Sequence, residues 1–281
     1  MTLAATRFFS SPADALPQRA EDEFFSSIKN PNNTFKCTWG GRFGDIDRQL
    51  VQALKHRGAQ VQDLLDIGVS SGTTTLDLCE ALADAGHRPR VTATDHALYA
   101  WIVPLGRRCA ALLDKEAQLL QLELFGRSFQ PWRRRLDYLT GMWLARPIIT
   151  RLLGAKAARK LRAGVGVQKV ELVSPRLRDH GSIELVEDDV LRPRATFSRR
   201  FDLVRAANVL NANYFPQADL RKAVQHLRSY LRGAGALLFI VRTLPSGEHH
   251  GTLFALREDG ELEVVERVGG GSEIEELVAP A

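Results

Sequence analysis

The run Asp66-Ile67-Gly68-Val69-Ser70-Ser71-Gly72 lies between an apolar stretch, 63–68, and a helical pattern that starts near 73–75. Small residues in a strand-to-helix turn let the backbone bend tightly and come close to a ligand. The amides of the incoming helix then face the crevice beyond the strand ends. A second short strand pattern ends at Asp95, 27 residues after Gly68, with His96 beside it. A carboxylate there can accept hydrogen bonds from both hydroxyls of a ribose. A third acid follows a further strand in Val186-Glu187-Asp188-Asp189-Val190. Asp189 is placed to accept from an adenine amino group and the Val190 amide to serve a ring nitrogen, with Asp188 as the competing acid. Taken singly, the turn and the strand-end acid each have a plain alternative, an ordinary tight turn and a strand-end cap, and the third feature reads as solvated loop acids. Together and in this order they point to a bound nucleoside. The nicotinamide fingerprint G-x-G-x-x-G is not met, because Ser70 and Thr73 occupy the required offsets after Gly68, which argues against a dehydrogenase.

Over residues 61–95 and 183–242 these segments resemble the class I S-adenosylmethionine-dependent methyltransferase family. The resemblance implies a Rossmann-like α/β fold, S-adenosylmethionine as cofactor and S-adenosylhomocysteine as product. It also implies that Asp66, Gly68, Ser70 and Gly72 hold the methionine part, Asp95 the ribose, and Asp189 with Val190 the adenine, with His96 a further cofactor-binding candidate. Ser70 stands where the family often has glycine. The stretch 201–211, which includes Asn208, resembles the family's fourth motif and, more narrowly, that of chemotaxis-receptor methyltransferases. Those enzymes carry an arginine where this chain has Ala207, and an acidic run where it has Thr73-Thr74-Thr75. The cofactor therefore carries over, and receptor-glutamate methylation does not.

A sulfonium already activates its methyl group, so the protein mainly excludes water and aligns a nucleophile in line with the carbon–sulfur bond. No metal is demanded. The polar residues expected at the site mouth are Asn208, Asn211, Asn213 and Tyr214 after the fourth core strand, and His249 and His250 after the fifth. Asn208, Tyr214 and His249 are the catalytic candidates, and Asn208 also borders the cofactor. For Tyr214, helix-start packing competes with a catalytic role; for the histidines, a solvated turn does.

The elements that must position these residues follow from periodicity. Helices are expected at 45–57, from 73–75 onward, and at 217–231. Core strands are expected at 63–68, 90–94, 183–186, 201–205 and 236–241, and a hairpin at 252–256 and 262–268 turns through Glu258-Asp259-Gly260. This predicts an α/β fold: a doubly wound, mostly parallel seven-stranded sheet with a terminal antiparallel hairpin. The domain reading is an N-terminal arm, 1–44, a main domain, 45–268, and a mobile tail, 269–281. Within the main domain, 97–180 is expected as a helical insertion, because Leu113, Ala117, Leu120 and Leu124 fall at helical spacing.

The chain has 281 residues, 44% of them hydrophobic, enough for a substantial core. Its three cysteines, Cys37, Cys79 and Cys109, form no C-x-x-C pair and have no histidine at metal-ligand spacing. With no apolar run of signal-peptide or membrane-spanning length, they suit a reducing cytoplasm, with peripheral membrane contact as an option. The net charge of +5 is concentrated in 97–180, where 16 Lys and Arg face 6 Asp and Glu. Aromatics interleave with these cations, among them Arg133-Arg134-Arg135. Three readings compete: a lid over a small-molecule or lipid-like acceptor, a patch for an anionic membrane surface, and a nucleic-acid surface. A solvated charged face is the plain alternative. The lid is preferred, and the acceptor molecule, its methylated atom and the oligomeric state stay open. The other functional classes are a non-catalytic cofactor-binding regulatory module, a different nucleotide-using α/β enzyme, and a methyltransferase of nucleic acid or protein.

Overall fold

The computed structural model describes residues 2–28, 40–132, 138 and 142–279. Cys37, Arg133-Arg134-Arg135 and the last two residues of the tail lie outside them. In chain order the helices are α1 (Ala5–Ser10), α2 (Gln18–Ser26), α3 (Gly44–Arg57), α4 (Thr73–Asp84), α5 (Met142–Arg162), α6 (Pro175–Arg178), α7 (Gln217–Tyr230) and α8 (Glu275–Val278). The strands are β1 (Asp63–Ile67), β2 (Arg90–Asp95), β3 (Tyr99–Gly106), β4 (Cys109–Leu113), β5 (Leu119–Leu124), β6 (Arg127–Phe129), β7 (Gln168–Glu171), β8 (Ile183–Glu187), β9 (Leu203–Ala207), β10 (Leu237–Thr243), β11 (His249–Leu256) and β12 (Leu262–Val268). They fall into two compact units, one of residues 40–96 and 180–281, the other of residues 1–39 and 97–179.

The first unit is a seven-stranded sheet in the order β12-β11-β10-β9-β1-β2-β8. Strands β8, β2, β1, β9 and β10 run parallel, and β11 and β12 pair antiparallel at one edge. This is the doubly wound α/β sheet with terminal hairpin that the periodicity predicts. Its central strands are apolar runs because both faces are covered. On one side Leu65, Val204 and Leu238 pack with Leu220, Val224 and Leu227 of α7. On the other Leu64, Leu203 and Phe239 pack with Leu50 and Leu54 of α3 and Leu78 and Leu82 of α4. The tail corrects an expectation. Ile274 and Val278 are 2% and 4% exposed within the α7 side of the core, so 269–279 is a packed element of the unit.

The second unit overturns the helical reading of 97–180. Five antiparallel strands form a sheet in the order β6-β5-β4-β3-β7. The N-terminal helices cover one face, where Phe8, Phe24 and Phe25 meet Ile102, Leu112 and Leu120. Helix α5 covers the other, over Val103, Leu105, Leu113 and Leu122. A sheet covered on both faces loses its polar–apolar alternation. The helical spacing of 113, 117, 120 and 124 is a coincidence across a β-turn: Leu113 ends β4, Ala117 sits in the turn at φ +63°, and Leu120 and Leu124 lie in β5. The described residues 2–28 of the expected N-terminal arm thus cover one face of this sheet.

Candidate functional site

From β1 the chain moves outward to β2 and β8, then returns to place β9 on the other side of β1. A doubly wound sheet opens a crevice at the carboxyl ends of the strands flanking such a reversal. The loops after β1 and β9 meet there. Gly68 has φ +72°, and a Cβ built on it would lie 2.1 Å from Cγ2 of Val209, so only glycine satisfies both the backbone and the contact. The Gly68 and Val69 amides donate to the Thr94 carbonyl at 2.7 and 3.0 Å, and the Ser70 amide donates to the Asp95 carboxylate at 2.8 Å. The loop is thereby stitched to the end of β2. Ser70 at φ +56° keeps the left-handed turn that glycine adopts more cheaply, and Gly72 at φ +83° opens α4. No side chain caps that helix; the Thr75 and Leu76 amides donate to the Gly72 carbonyl at 3.1 Å each, and Thr73 and Thr74 precede them at the helix start.

Asp66, which the family resemblance sets at the methionine part, is buried and fully engaged by the protein. It is 2% exposed, and its oxygens accept from Arg205 Nε at 2.9 Å, Arg205 Nη2 at 2.6 Å and the Thr75 hydroxyl at 2.7 Å. Arg205, equally buried, also donates to Asp47 Oδ1 at 3.2 Å and to the Thr74 carbonyl at 3.0 Å. The Asp47–Arg205–Asp66 triad fastens α3, β9, β1 and the first turn of α4 together beneath the loop. Oδ2 of Asp47 is buried without a hydrogen-bond partner. Burial, the largest cause, pushes the Asp47 carboxyl up to about 6 despite the pull of Arg205, and it pushes the Cys79 thiol up to about 12. Arg205 was not singled out from sequence. Its signal is an arginine in the middle of an otherwise apolar strand, because a charge survives there only with buried partners.

The other expected residues fall into distinct places. Asp95 ends β2, half-buried, with His96 exposed beside it. Asp188 takes Nε of Arg194 at 2.7 Å, and Asp189 pairs with Nε of Arg192 at 3.5 Å. Asp189 caps its own turn, Oδ1 accepting the Leu191 amide at 3.1 Å, and the Val190 carbonyl meets His226 Nδ1 at 3.0 Å. Asn208 and His249 come together through Thr243, which the sequence reading missed. The Asn208 carbonyl oxygen accepts the Thr243 amide at 2.7 Å, its amide donates to the Thr243 hydroxyl at 3.2 Å, and that hydroxyl lies 3.1 Å from His249 Nδ1. This network holds Asn208 at φ +59° at the end of β9. Tyr214 is 57% exposed, apart from the network, and His250 accepts the Gly270 amide at 3.2 Å. Asn211 caps the amide of Asn213 at 2.8 Å.

A nucleoside bearing an amino acid needs an acceptor for its diol, donors for its carboxylate and an acceptor for its base. Asp95 and Asp189 are the acceptors available for such a set, and the start of α4, without a side-chain cap, is where its donors would come from. An open cavity of about 990 Å³ runs along α3 and α4, lined by Asp47, Arg48, Lys55, Asp77 and Glu80, and contains none of the crevice residues. Among the described residues no group of three His, Cys, Asp or Glu is arranged to hold a metal.

No family model matches the sequence, and no curated protein is similar to it in sequence. Among solved structures, the chain is similar to N-methyltransferase NodS from Bradyrhizobium japonicum WM9 in complex with S-adenosyl-L-homocysteine, at 17% identity over 72% of this chain and 62% of that one, TM-score 0.35. It is similar to the CurJ carbon methyltransferase at 15% identity over 72% of this chain and 35% of that one, TM-score 0.36. It is similar to the plantazolicin methyltransferase BpumL in complex with SAH at 10% identity over 72% and 46%, TM-score 0.34. In each case the match spans less than two thirds of the other protein. Superpositions this partial assign neither fold nor activity.

Proposed function

We propose that this chain is an S-adenosylmethionine-dependent methyltransferase acting on a small or lipid-like acceptor. One observation carries the reading: at the strand-order reversal between β1 and β9, the left-handed loop Gly68–Gly72 is hydrogen-bonded through Ser70 to the acid that ends β2. Asp95 then takes the ribose hydroxyls, the α4 start takes the methionine carboxylate, and Asp189 with the Val190 amide takes the adenine. When bound, the cofactor supplies a methyl group already activated by its sulfonium.

The chain's own residues keep water out and orient the acceptor. Val209, held against Gly68, walls the crevice beside Asn208. Asn208 is fixed by Thr243 and borders the methyl position. His249, oriented by the same hydroxyl, takes a proton where the acceptor atom starts protonated. Tyr214 offers its hydroxyl from an exposed position at the mouth.

Incubation with methyl-labelled cofactor and separate lipid, small-metabolite, RNA and protein fractions tests this. Label is expected in the lipid or small-metabolite fraction. Label confined to RNA or protein would overturn the acceptor class, and cofactor binding with no label anywhere would leave a regulatory module in place of an enzyme.

A further inference from the structure

Helix α5 is apolar on two opposite sides. Ile149, Leu153, Ala157 and Leu161, one turn apart, pack toward the sheet of their unit. Lys156 and Lys160 fasten that side by donating to the carbonyls of Leu105 at 3.1 Å and Pro104 at 2.7 Å. On the other side Leu144, Ile148 and Leu152, also one turn apart, are 59%, 60% and 66% exposed. Arg151, Arg159 and Arg162 are exposed and, by helical spacing, continue the same stripe. The helix carries six Lys and Arg and no Asp or Glu. Apolar residues on both sides hide this outer face from a sequence reading, which looks for one apolar side.

We propose that the outer face of α5 docks on an anionic lipid bilayer. The helix lies in the plane of the surface, with Leu144, Ile148 and Leu152 among the upper acyl chains and Arg151, Arg159 and Arg162 among the headgroup phosphates. The charge pattern selects this occupant. A second copy of the helix would set cations against cations, with no acid on either side. A nucleic acid would satisfy the arginines but leave three large aliphatic side chains in water. Among the described residues no helix is long and apolar enough to cross a membrane, so the contact is one of surface, not of spanning. The proposal goes beyond the methyltransferase reading and stands without it.

Co-sedimentation of the full chain tests it, using phosphatidylcholine vesicles with and without phosphatidylserine, across a salt series. The wild type is expected to pellet with the anionic vesicles and progressively less as salt rises. The pair Ile148→Asn with Leu152→Asn, and separately the pair Arg159→Gln with Arg162→Gln, are each expected to weaken that partitioning about tenfold. Thermal melts should stay unchanged, since all four side chains lie on the outer stripe. The proposal is overturned if the wild type ignores anionic vesicles, binds neutral ones equally well, or is matched by both variants. It is overturned too if the aliphatic pair instead dissolves a dimer, or if RNA binds where vesicles do not.

Discussion

Asp66 shows what residue types alone can and cannot convey. An acid at the end of the first strand was legible, but its partner sits 139 residues away, on β9. Only the fold reveals that the pair is internal. Burial above all, and Asp66 as a second carboxylate on the same guanidinium, raise the proton affinity of Asp47 despite the pull of Arg205. A carboxyl whose pKa rises on folding binds its proton more tightly in the native state. Its stabilising contribution is therefore present below the ordinary carboxylate range and is lost as pH climbs from about 4 through about 6. The total loss is at most about 3 kcal/mol. Asp47→Asn, which keeps an acceptor for Arg205, is expected to abolish that slope in urea melts taken from pH 4 to 8. Arg205→Ala, by contrast, strands both acids and should cost about 3–5 kcal/mol at neutral pH. Parallel pH profiles for wild type and Asp47→Asn would contradict this account of the triad.

Elements were legible where one face was polar or a turn was marked, and illegible where neither held. β11 and β12 flank Glu258-Asp259-Gly260, and Gly260 adopts the φ of +84° that the sequence signal implies. In the second unit the turn between β5 and β6 runs through Phe125 and Gly126, both at positive φ, and Phe125 is 80% exposed. A phenylalanine at a hairpin tip looks like core in a sequence. Helices on both faces of the sheet then remove the alternation that would have marked its strands. The loops of the crevice make an element-scale prediction. Gly68→Ala forces a Cβ into Val209 and a side chain into the left-handed region, and is expected to cost about 1–3 kcal/mol in a thermal melt. Adding Val209→Ala should recover the part due to contact but not the part due to φ. An unchanged melt for Gly68→Ala would show that the two loops do not meet as described.

At the scale of the molecule, the chain is a doubly wound sheet and an antiparallel sheet, each with its own core. The succession of core strands and the loop at 68–72 were readable from sequence because strand, glycine turn and helix follow one another locally. The interior of the second unit was not, because its cover comes from the chain's first residues, far away in sequence. The whole account depends on the crevice at the β1–β9 reversal accepting a nucleoside. Titration calorimetry with S-adenosylhomocysteine tests this directly. A single site is expected on the wild type, weakened roughly a hundredfold in Asp95→Ala, because two charge-assisted hydrogen bonds to the ribose are lost. Absence of heat with the wild type, or equal affinity in Asp95→Ala, would contradict it.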